Sequence, residues 1–119
     1  MTTLTIRLGT VADARARFVA AGARALAGAA VPATPTLAFA SYDDIHRVLA
    51  PSRLAIVKAL AGRGPLAIRE VARRVGRDVQ AVHRDVTTLI NAGVIDRTGE
   101  GIAFPYDGIH FEFDVMSAA

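Results

Sequence analysis

Ala72, Gly76 and Val82, set at Ala–x3–Gly–x5–Val spacing between two amphipathic stretches, constrain this chain more than any other feature. Residues 65–75 place Ile68, Val71 and Val75 at helical intervals; residues 79–92 repeat the pattern with Val79, Val82, Val86, Leu89 and Ile90. A small Ala lets two helices approach closely. Gly permits a left-handed residue between them, and Val anchors the second helix on the first. Asp78 stands at an N-cap position for the second helix. The pattern predicts two helices, 65–75 and 79–92, in the helix-turn-helix arrangement.

The flanks extend this reading. Pro51 suits the first turn of a supporting helix over 52–61, with Leu54, Val57 and Leu60 in spacing and Gly62 and Gly64 ending it. Ser41 is an expected N-cap, followed by Asp43 and Asp44 in the first turn of a helix reaching about Leu49. After Gly93, a C-cap candidate, two extended runs over 94–97 and 101–105 flank the turn Thr98-Gly99-Glu100-Gly101. A hairpin in that place is a wing. Residues 109–115 alternate, which places Ile109, Phe111, Phe113 and Val115 inward; Phe111 and Phe113 are read as core rather than as ligand contacts. Residues 3–8 read as a strand, a pairing partner for 109–115 within the chain or across a dimer. Residues 10–30 are Ala-rich and read as a helix, 31–36 as a linker, and 36–40 as a short extended run.

The expected fold class is α+β: a winged helix-turn-helix with an N-terminal strand–helix extension and a C-terminal strand. Two units are expected, residues 1–35 as a strand–helix dimerisation or partner element and residues 36–119 as the DNA-binding domain. A length of 119 residues fits this and is too short for a doubly wound or barrel enzyme.

Charge points to an anionic partner. The formal net charge is +3, but residues 45–84 carry nine basic and two acidic groups, net +7, while residues 85–119 are net −5. Such a block is the footprint of nucleic acid, with a solvated helical surface as the plain alternative. The chain has no cysteine, which excludes disulfides and thiolate metal sites; His46, His83 and His110 lack metal-ligand spacing. No nucleophile–base pair, carboxylate dyad or phosphate loop appears, so no catalytic residue, cofactor or metal is expected. Residues 1–9 do not read as a secretory signal. The uncharged stretch 25–42 is interrupted by Pro32 and Pro35, so no membrane span is expected and a cytoplasmic location is.

Four runs also resemble a known family. They are Phe39-Ala-Ser-Tyr-Asp-Asp-Ile-His-Arg-Val-Leu, Ala50-Pro-Ser-Arg53-Leu, Gly64 through Val86, and Phe104-Pro-Tyr-Asp-Gly-Ile. Together they are similar to small prokaryotic winged helix-turn-helix proteins regarded as transcriptional regulators. Members are often encoded beside a toxin-like protein and are also read as type II antitoxins. The most specific part is Gly76-Arg-Asp-Val-x-x-Val-His-Arg-Asp-Val86. The chain departs at Ala50-Pro51-Ser52-Arg53, where the family often has Thr-Pro-Lys-Arg, at Ala67 in place of a capping Ser or Thr, and at Gly108 in place of an acid.

The outward face of the 79–92 helix carries Gln80, Ala81, His83, Arg84 and Thr87. In this motif that face enters the major groove, where Arg84 suits guanine O6/N7 and Gln80 suits adenine N6/N7. A solvated face is the alternative for Gln80 and Thr87, and a salt bridge for Arg84. Arg77 in the turn, Arg73 and Arg74 on the first helix, Arg53 on the supporting helix and Arg97 on the wing are phosphate candidates. Of Arg73 and Arg74, one is expected to face DNA and the other solvent. Asp85 is expected to orient an arginine or to pair across the motif. The expected function is an autoregulating repressor that binds promoter or operator DNA as a homodimer. The alternative is an antitoxin that neutralises a cognate toxin protein by direct contact, with DNA binding secondary. A protein-only module has no need of the +7 block, and RNA binding lacks an exposed stacking pattern.

Overall fold

The computed structural model describes residues 2–9 and 35–117. The helix expected over 10–30 and most of the 31–36 linker lie outside them. The described residues form a mixed α/β fold with four helices and two small sheets. None of these helices is long and apolar enough to cross a membrane.

In the larger sheet β1 (Thr3–Leu8) lies between β2 (Thr36–Phe39) and β5 (Gly108–Glu112), and both neighbours run parallel to it. Parallel neighbours need a connection of a dozen or more residues, a length that the interval 9–35 meets. The register sets Leu4 beside Ile109, Ile6 beside Leu37 and Phe111, and Leu8 beside Phe39. This apolar face lies on the core, with Leu4, Ile6 and Phe39 buried. On the opposite face Arg7 meets its register partner Glu112 at 3.5 Å. The expected pairing of 3–8 with the alternating C-terminal segment is thus made within the chain.

The helices follow local rules. Ser41 Oγ accepts the Asp44 N–H at 3.1 Å and starts α1 (Tyr42–Val48), with Asp43 and Asp44 at the positive end of its dipole. Pro51 opens α2 (Pro51–Leu60), which buries Ile56, Val57 and Leu60; Leu54 is only half-buried. α3 (Ile68–Val75) buries Val71 and Ala72, and α4 (Val79–Asn91) buries Val82, Val86 and Leu89. Ile68, Val75 and Ile90 are partly buried against the same core. These three helices pack on one another. Gly76 sits between α3 and α4 with φ 69° and ψ 38°, the left-handed conformation that the spacing required.

Several boundaries and orientations differ from expectation. The first helix of the pair begins at Ile68, not at 65, because Leu66 exchanges two backbone hydrogen bonds of 2.9 Å with Ile102. That bridge holds the residue extended. Val79, expected inward, is 41% exposed, since it stands in the first turn ahead of the buried Val82. The hairpin is shorter than the expected runs: β3 (Asp96–Thr98) pairs antiparallel with β4 (Gly101–Ala103), while Val94, Ile95 and Phe104 are buried in the core. β5 ends at Glu112 rather than at 115. Ile109 and Phe113 pack against the core as expected, but Phe111 is 41% exposed and Val115 88%. Among the described residues β5 is an edge strand and β1 ends at Leu8, so none of them continues the sheet past Glu112 to direct the alternation.

Candidate nucleic-acid interface

The exposed side of α4 follows from its buried side. With Val82, Val86 and Leu89 fully enclosed, helical periodicity turns Gln80, His83, Arg84 and Thr87 outward, and all four are exposed. Asp78 caps the helix: its carboxylate accepts the Ala81 N–H at 3.2 Å. The Thr87 hydroxyl donates to the His83 carbonyl at 3.0 Å, so its lone pairs remain as acceptors toward solvent. Arg84 makes no ion pair among the described residues. Arg97 is likewise exposed on β3 with no such pair. Arg84 therefore presents an uncommitted guanidinium.

The other four arginines singled out from the sequence are engaged within the protein. Arg53 donates Nε to the Val48 carbonyl at 2.7 Å, a second nitrogen to the Arg47 carbonyl, and a third to Asp85 at 3.1 Å. It thereby caps the negative end of α1 and reaches α4 at once. Arg77 donates to the other Asp85 oxygen at 2.7 Å. Asp85, 13% exposed in its side chain, is the shared acceptor, which fits its expected role of orienting arginines.

Arg73 and Arg74 both turn back to Glu70, instead of one facing DNA and one facing solvent. Arg73 grips the carboxylate with two nitrogens, and Arg74 Nε lies 2.8 Å away. The hydrogen bonds from Arg73, and then from Arg74, hold the Glu70 carboxyl at about 2, well below the usual 4.5. The signal for this clamp was in the sequence: Glu70 lies three and four residues before them, the intervals that meet on a helix. Two further arginines of the basic block, Arg63 and Arg69, are exposed and have no ion pair among the described residues. No group of three or more His, Cys, Asp or Glu side chains among the described residues is arranged to hold a metal ion.

The surface thus formed belongs to a mixed α/β unit, with α4 exposed on one side and a short hairpin following it. The chain belongs to the HVO_A0114 family, whose model matches residues 48–111, from the end of α1 into β5. No curated protein and no solved structure matches it.

Proposed function

We propose that this protein is a sequence-specific DNA-binding regulator of the winged helix-turn-helix type, with α4 as the reading helix. The observation that carries the proposal is the outward face of α4, where Gln80, His83, Thr87 and Arg84, which has no ion pair among the described residues, are exposed on a helix whose other side is fully enclosed. A helix fixed in this way has little backbone entropy left to lose on binding. Three further observations support it. Gly76 makes the tight turn between α3 and α4. The β3–β4 hairpin follows α4 and is joined to the segment before α3 through Leu66 and Ile102. The net +7 of residues 45–84 supplies the field that an anionic duplex requires.

The roles divide by commitment. Arg84 and Gln80 are the base readers, His83 and Thr87 contact bases or phosphates, and Arg97 grips the backbone beside the reading helix. Arg53 and Arg77 act through Asp85, which fixes the angle of α4. The test is fluorescence anisotropy on the duplex upstream of the protein's own gene and on a scrambled duplex, over a salt series. The expected result is salt-dependent binding with a preference of about a thousandfold or more for its own duplex. Arg84→Ala is expected to reduce that preference by about 1–3 kcal/mol. Equal binding to both duplexes, or none, would overturn the reading.

A further inference from the structure

β5 is an edge strand whose outer side pairs with no described residue, and it carries Phe111 41% exposed on the sheet face that holds Leu4 and Ile6. Exposed edges are normally blunted by charged side chains, especially lysine, by proline or by a bulge; residues 108–115 contain no lysine or proline, and of their two acids Glu112 is met by Arg7 of β1. From this open edge we propose that two copies of the chain join their β5 strands antiparallel about a two-fold axis passing through Phe111, making one continuous six-stranded sheet.

The chemistry of the strand selects this register. A two-fold axis perpendicular to the sheet keeps each face on its own side. Residues directly opposite must therefore share a face, and the axis must pass through a residue and not between two. An axis at Gly108 or Ile109 would carry the loop residues before Gly108 into the ladder, which leaves three registers. An axis at His110 sets His110 opposite His110 of the second copy. An axis at Glu112 sets two like carboxylates against each other, which destabilises a sheet. Only the axis at Phe111 sets His110 opposite the second copy's Glu112, twice by symmetry. On the other face it stacks the two Phe111 rings and brings Phe113 opposite Ile109. Glu112 then stands between its own Arg7, at 3.5 Å, and the second copy's His110. The aromatic surface near the axis, where Phe113 meets Phe111 and Tyr42 edge-on at 6.2 and 5.7 Å, is covered in the same step.

This proposal rests on the sheet edge and not on DNA binding, and its test contains no DNA. The protein has no cysteine, so a single introduced thiol reports on the axis alone. Directly opposed residues in an antiparallel pair have Cα atoms about 4.5–5.5 Å apart, within the range of about 4.4–6.8 Å that a disulfide spans. Phe111→Cys is therefore expected to form a covalent dimer on mild oxidation, whereas Ile109→Cys, displaced from its own symmetry mate by four positions, is not. Sedimentation of the unmodified chain is expected to show a dimer. His110→Glu is expected to weaken it by about tenfold, through two like carboxylates at both pairs, and Glu112→Lys to weaken it by removing the acceptor opposite His110. Mixing the two variants restores opposite charges and is expected to recover the dimer as a heterodimer, which a folding defect cannot imitate. The proposal is overturned if Phe111→Cys stays unlinked, if His110→Cys or Glu112→Cys links as fast, if the unmodified chain is monomeric, or if the mixture is no tighter than either variant alone. Where Phe111→Cys does not fold, the charge-variant mixture decides.

Discussion

Asp85 accepts a 2.7 Å hydrogen bond from Arg77, so a carboxylate in the second turn of α4 holds the residue that leads into that helix. Its other oxygen takes Arg53 from α2 at 3.1 Å. One acid thus fixes α4 against both the turn and the supporting helix. Asp85→Ala is expected to leave two partly enclosed guanidinium groups beside each other and to lower unfolding stability by about 2–3 kcal/mol, read by urea denaturation. Arg53→Ala is expected to act in the same assay by uncapping α1. A stability unchanged by Asp85→Ala would show that the pair is solvated rather than structural.

Two glycines test different physics with one substitution. Gly101 has φ 139°, and an added Cβ would lie 2.4 Å from the Leu66 carbonyl oxygen. Gly101→Ala is expected to break the contact of β4 with Leu66 and cost about 2 kcal/mol or more. Gly76 has φ 69° but open space around it, so Gly76→Ala meets only the left-handed backbone penalty, about 1–2 kcal/mol. Thermal melts should rank the two in that order. In addition, only Gly101→Ala should lose amide protection at Ile102.

The Glu70 clamp sets a pH window. Its carboxyl is held at about 2 against an ordinary 4.5. A lowered folded-state pKa gives stability that is fully present above the ordinary value and lost as pH falls through the folded one. The contribution should therefore fade between about 4.5 and 2 and leave neutral pH unaffected. Being at the surface, the group is screened by salt. A carboxyl NMR titration is expected to place Glu70 near 2 in dilute buffer and to move it upward in molar salt. A midpoint near 4.5 in dilute buffer would refute the clamp.

Arg97 and Arg84 should separate backbone grip from reading. Arg97→Ala is expected to weaken binding to specific and scrambled duplexes equally and to reduce the log–log salt slope by about one. Arg84→Ala is expected to act mainly on the specific duplex. If both variants shift both duplexes alike, Arg84 contacts phosphate and not bases.

The helices were legible in the sequence because their signals are local. Ser41, Pro51, Gly76, Asp78 and Gly93 punctuate segments whose apolar spacing gives the period directly. Leu66 was misplaced because its partner Ile102 is distant in sequence, and no helical periodicity reports an extended pair. Phe111 and Val115 were misread for a related reason. Alternation gives the period of a strand but not whether a neighbour lies beside it, and β5 has none on its outer side among the described residues. The outward set on α4 was legible once its inward residues were known. The commitments of Arg53 were not, because they depend on where the end of α1 falls relative to α4.

The sheet also has a consequence for synthesis. Arg7 and Glu112, partners across β1 and β5, are 105 residues apart, whereas α2 through β4 is built from much closer neighbours. At about 5–20 residues per second, a ribosome takes about 5–20 s to travel from one to the other. Throughout that interval the Leu4–Ile6 strand has emerged without β5 beside it. The helical unit can condense in the meantime, and closure of the sheet by β5 becomes the late, slow step that long-range pairing imposes.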